Sequence, residues 1–248
     1  MDVLIQFLLR LAFGLGVAML VTSSRQVDAG FYRVHLWIGL GLTAGAAAAG
    51  TTIGPTAATS HFYFYAAAIS AAAASYVAAV LWLYEYALAG KMGIAIFTIL
   101  CVVAGSMAVS GADQVAGAVD FVTGGLLLGS VTLAMLLGHW YLNNPGMKLA
   151  PLNRLVLLAV VAALLRCLLC AWGDVRQWPQ LDALGGTFLA LRWLWGFVAV
   201  WVLAAMTWQT LKIPNTQSAT GILYVAVICV FLGELSSQLL SRGLPYPL

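Results

Sequence analysis

The feature that most constrains this chain is a recurrence: about eight apolar runs, each near twenty residues long, separated by short connections with turn chemistry. A run of that length crosses the hydrocarbon of a bilayer as a helix. Lipid offers the backbone no hydrogen-bond partner, so only segments satisfied from within can span it. The runs lie near residues 3–21, 31–49, 61–84, 92–110, 121–142, 152–172, 185–209 and 220–240. The connections carry turn signals, among them Gly54-Pro55, Asn144-Pro145-Gly146, Pro179 and Pro214, and none is long enough for a soluble domain. The expected fold is all-α: a polytopic bundle of about eight transmembrane helices, with residues 1–248 forming a single transmembrane domain.

Composition agrees, with 63% apolar residues, 8% charged residues and a mean hydropathy of +0.99. The expected surroundings are the lipid bilayer of a bacterial inner (cytoplasmic) membrane. The net charge is +3 and the basic residues are scattered singly, which gives no stripe of the kind nucleic acid requires. The first run has Asp2 in place of a basic leader and is interrupted by Arg10, so it reads as a retained helix and not as a cleaved signal. The four cysteines all fall in apolar runs. Cys167 and Cys170 form a C-x-x-C inside a leucine-rich helical pattern, where packing is the expected role. No Gly-x-Ser-x-Gly, His-Glu-x-x-His, Walker loop or Gly-x-Gly-x-x-Gly is present, which removes the hydrolase, zinc-protease and nucleotide-driven readings.

Short loops rich in Lys and Arg stay in the cytoplasm. The odd-numbered connections and their borders carry Arg25, Arg33, Lys91, Lys148, Arg154 and Lys212. The even-numbered ones carry Arg176 against Asp113, Asp120, Asp174 and Asp182. Odd loops therefore point to the cytoplasm and both termini to the non-cytoplasmic side. Small residues over 39–50 and 66–79, with Gly14, Gly16 and Ala18, predict closely packed helix faces. Arg10-x-x-x-Gly14 is echoed by Arg192-x-x-x-Gly196, and residues 30–34 are faintly echoed by 221–225, a trace of the internal repetition found in transporters.

Ionisable groups inside membrane helices are costly and mark sites. On the cytoplasmic level His35 and His139 share a depth, with Arg33, Trp37, Trp140, Tyr141, Asn143 and Asn144 nearby. Two imidazoles could ligate the iron of a haem b, the one metal site anticipated. They could equally hold a quinone carbonyl, with Arg33 or Tyr141 as a second donor. Interfacial hydrogen bonding within an aromatic belt is the alternative. On the other level stand Arg10, Arg166, Arg192 and Glu234, near Asp174 and Asp182. Three arginines against one deeply placed carboxylate would suit an anion, a lipid head group or a proton site, or else a network that locks the bundle. His61, beside Phe62, Tyr63, Phe64 and Tyr65, and the series Trp193, Trp195, Trp201 and Trp208 fit ordinary aromatic belts or packing. Thr216 or Ser218 is the expected N-cap of the last helix.

The eight-span plan with both ends outside is similar to the membrane anchors of DMSO-reductase-type oxidoreductases, as is the segment Gly233-Glu234-Leu235. The resemblance covers those three residues and a topology, and carries no site residues across. Together these features lead to the expectation of a membrane subunit in a respiratory or photosynthetic electron-transfer complex. Such a subunit would bind quinone, haem b or both near the cytoplasmic side and associate with other protein subunits. A non-catalytic scaffold or assembly subunit, and a small transporter, are the alternatives.

Overall fold

A computed structural model describes residues 2–51, 58–108, 114–144, 146–177, 183–213 and 215–241. These are helical almost throughout: α1 (Asp2–Val21), α2 (Ala29–Gly50), α3 (Ala58–Leu83), α4 (Ala87–Met107), α5 (Gln114–Asn143), α6 (Ala150–Gln177), α7 (Ala183–Trp193), a π-helical turn (Leu194–Ala199), α8 (Val200–Lys212) and α9 (Thr216–Leu240). α7, the π turn and α8 run on as one membrane-length helix, so the described segments amount to eight long helices. Seven of these are long and apolar enough to cross a membrane. α2 is as long, but its arginine, histidine and many small residues lower its hydropathy. Asp113, Asp182 and the prolines at 55, 145, 179 and 214 lie outside the described residues, as do the side chains of His61 and Arg176.

The helices pack as two rings of four. In the first, α1, α2, α3 and α4 each touch the next, and α4 returns to α1. In the second, α5, α6, α8 and α9 do the same, and α7 lies against α9. The rings join chiefly through α1 and α5, which are also the most enclosed spans. Glycine makes this joint possible. A Cβ on Gly14 would stand 1.8 Å from the carbonyl oxygen of Gly125, and one on Gly129 would stand 1.9 Å from the carbonyl carbon of Gly14. Only α-carbons without a Cβ allow backbones this close. A second close crossing sets Gly196 of the π turn against Gly233 of α9, where a Cβ on Gly233 would come within 2.4 Å of the Gly196 α-carbon. The outer faces of α3, α4 and α6 present Ile69, Leu88, Ile99, Leu157 and Leu168, as lipid-facing surfaces should.

Three local expectations need correction. α5 starts at Gln114, so Asp120 stands inside the helix and not in the preceding loop. Its charge looks like a loop marker in the sequence, but two arginines from other helices neutralise it. α4 starts at Ala87, which puts Lys91 on a helix as well. Its ammonium donates to the carbonyls of Met19 (2.6 Å), Leu20 (3.1 Å) and Thr22 (2.6 Å) and lies 4.8 Å from the centre of the Tyr32 ring. It thereby satisfies the last turn of α1, where carbonyls lack helical partners and the helix dipole favours a cation. Finally, the N-cap of α9 is Asn215, whose side-chain oxygen accepts from the amide of Ser218 at 3.0 Å. Thr216 is already the first helical residue.

Candidate functional site

Five ionisable side chains from five helices converge between the joint and α9. Arg10 is the ninth residue of α1, Asp120 the seventh of α5, and Glu234 precedes the end of α9 by six residues. At 1.5 Å per residue each lies about 10 Å inside its helix end. Arg166 of α6 and Arg192 of α7 complete the group. Arg166, Arg192 and Glu234 are fully buried, Arg10 is 4% exposed and Asp120 8%.

Asp120 bridges two arginines, taking Arg10 on one carboxylate oxygen and Arg166 on the other. The second carboxylate, Glu234, accepts from Arg166 Nε at 3.2 Å, is ion-paired with Arg192 Nη1 at 2.8 Å in a geometry that makes no hydrogen bond, and stands 3.9 Å from Arg10 Nη1. Arg166 also donates to Ser237 Oγ at 3.0 Å. Arg192 reaches Cys170 Sγ at 3.6 Å, and its guanidinium lies 4.3 Å from the centre of the Phe197 ring. Room for the cluster comes from Gly124, where a Cβ would be 2.7 Å from Glu234 Oε2 and 2.9 Å from Arg10 Nη1. Buried charges persist only when paired and hydrogen-bonded, and this network does most of that work internally.

All four residues expected on this level, Arg10, Arg166, Arg192 and Glu234, meet here. The sequence reading missed Asp120 as the second carboxylate and Gln238, which follows Glu234 by one turn on α9. Gln238 is 8% exposed, and neither atom of its amide has a hydrogen-bond partner among the described residues. The i, i+4 spacing from Glu234 was the available signal. Asp174 sits farther along α6, half-buried, and accepts from Trp193 Nε1 at 2.7 Å. The echoed arginine–glycine pairs also acquire a meaning. Arg10 and Arg192 both approach Glu234, and the glycine four residues after each lies at a backbone crossing.

The histidines are separated. His35 is buried on α2, with Nδ1 2.5 Å from the Phe31 carbonyl and its ring packed on Phe31 at 4.0 Å and near Trp140 at 6.4 Å. His139 is exposed on α5, and its Nδ1 lies 3.4 Å from the Tyr224 hydroxyl of α9. The two share a level, but His35 meets α5 through Trp140, the next residue along and about 100° around the helix from His139. Because a carbonyl can only accept, His35 Nδ1 carries the proton, and in the neutral ring Nε2 is left as an acceptor. Trp140 Nε1, buried, has no hydrogen-bond partner among the described residues. Tyr141 donates to the Lys148 carbonyl at 2.7 Å and so ties the turn between α5 and α6, while Arg33 is half-buried on α2. Among the described residues, no group of three or more His, Cys, Asp or Glu could hold a metal ion, and all four cysteines are free thiols. No protein-family model, curated protein or solved structure matches this chain.

Proposed function

We propose that this chain is the membrane subunit of a respiratory or photosynthetic electron-transfer complex in a bacterial cytoplasmic membrane, and that it takes a quinone at His35. The observation that carries this reading is the pairing of a buried imidazole, its Nδ1 already committed, with the unpartnered indole N–H of Trp140 among aromatic rings. A quinone carbonyl needs a donor and a quinol hydroxyl needs an acceptor; Trp140 Nε1 supplies the first and His35 Nε2 the second. Flat faces of Phe31 and Trp140 suit a planar ring. The loop charges support a cytoplasmic position for this level, with both termini outside. Haem b is a distinct form of the same proposal, in which His35 Nε2 would hold the iron and the haem would supply one-electron transfer.

The test is the absorption spectrum and the extracted lipid content of the purified protein. Bound quinone that is lost on His35→Leu and on Trp140→Phe supports the reading. A Soret band abolished by His35→Leu moves it to haem. Absence of both, with quinone-linked turnover of the parent complex unaffected by either variant, overturns it and favours a scaffold subunit.

The ionic core favours a second reading, that of a small transporter, because charged side chains from five helices meet at one depth. Substrate-dependent flux in vesicles containing this chain alone distinguishes it.

A further inference from the structure

We propose that the ionic core binds one monovalent anion, held by Arg10, Arg192 and the amide of Gln238. The inference does not depend on the quinone reading. Within the cluster three guanidinium groups face two carboxylates, all buried, which among the described residues leaves one positive charge without an ion-paired counterpart. Asp174 offsets it only in part: its carboxylate acts on Arg192 through space, but it is half-buried, accepts from Trp193 and lies beyond ion-pair distance of all three arginines. A lone excess charge at this depth is expensive, and a monoanion restores neutrality where a dianion would overshoot it.

The hydrogen bonds point the same way. Asp120, Glu234 and Ser237 engage Arg166 on every side. Arg192, by contrast, has one hydrogen bond for its five donors, to a thiol; its Nη1 meets Glu234 as an ion pair, and neither Nε nor Nη1 has a hydrogen-bond partner among the described residues. Arg10 Nε is likewise unpartnered, and so are both amide atoms of Gln238. Gln238 lies on the same face of α9 as Glu234, one turn nearer the membrane surface, and shares with Asp120 the slight exposure that the deeper members lack. The guanidinium N–H groups and the amide N–H would coordinate the anion, and the π turn beside Arg192 is the kind of helical irregularity that recurs at binding sites.

The source of the anion is either the aqueous phase, as a halide or small carboxylate, or a lipid phosphodiester. The experiment is thermal unfolding of the full chain in detergent at constant ionic strength, titrated with chloride or formate against a sulfate background, and separately with phosphatidylglycerol. Saturable stabilisation by chloride or formate, on the order of 5 °C well above half-saturation, is expected. Gln238→Leu should raise the half-saturating concentration at least tenfold, and Arg10→Met, which neutralises the cluster, should abolish the response. Should Arg10→Met fail to fold, Gln238→Leu decides alone. A response to phosphatidylglycerol only, lost in the same variants, assigns the anion to a lipid. An unfolding temperature indifferent to all three, or an unchanged response in Gln238→Leu, overturns the proposal.

Discussion

Arg166 shows how the sequence can place a charge correctly and still conceal its role. It donates to Asp120, Glu234 and Ser237 from a position with no solvent contact, so two carboxylates depend on it for their compensation. Replacing it with Met should destabilise the protein by about 3–5 kcal/mol, because both acids are left buried without their shared partner. Lys should recover only part of that, since a point charge cannot engage both carboxylates as a guanidinium fork does. Chemical unfolding of the detergent-purified variants measures both. Lys91→Met should cost about 1.5–3 kcal/mol by the same measurement, through the loss of charge-assisted bonds to the α1 carbonyls. The sequence made Arg10, Arg166, Arg192 and Glu234 visible because a charge in an apolar run is conspicuous. Asp120 escaped because it stands near the end of a run, where a charge ordinarily means solvent. Gln238 escaped because an uncharged amide raises no alarm.

At the level of elements, apolar length marked seven of the eight long helices as spans, α2 falling short in hydropathy, while the rotation of each about its own axis was beyond reach. Depth follows from counting residues along a helix, but azimuth depends on which neighbour presses against it. That is why His35 and His139 could be placed on one level and yet belong to different contacts, one beside Trp140 and the other beside Tyr224. Small-residue runs correctly marked close faces, but the decisive pairings involve single glycines. Gly14→Leu should therefore break the α1–α5 joint, since even its first side-chain carbon would overlap the Gly125 carbonyl. Gly221→Leu, on an open face of α9 with nothing within 4 Å, should be tolerated. Size-exclusion profiles of the two variants should differ, the first aggregated and the second eluting as the parent protein does. Two similar profiles would mean that the joint yields.

For the whole molecule, the two rings of four give the sequence echo a different sense from the one a simple duplication suggests. The rings equate α1 with α5, whereas the repeated arginine–glycine pattern links α1 with α7. The pattern therefore reflects a shared task, an arginine directed at Glu234 and a glycine at a crossing, on helices with different places in the architecture. Sidedness belongs to this scale too, because it decides which compartment serves His35 and which serves the ionic core. Lys91, counted as a loop charge, spends its ammonium on α1, but the remaining basic residues of the odd-numbered loops still outnumber the opposite side. In a version with the native cysteines replaced, Tyr86→Cys and Gln217→Cys should react with a membrane-impermeant maleimide only from the cytoplasmic face. Thr51→Cys, exposed at the end of α2, should react only from the outside. The reverse pattern would leave the fold intact but exchange the compartments. Any quinone at His35 would then trade protons with the exterior, and an anion bound among Arg10, Arg192 and Gln238 would have to arrive from the cytoplasm.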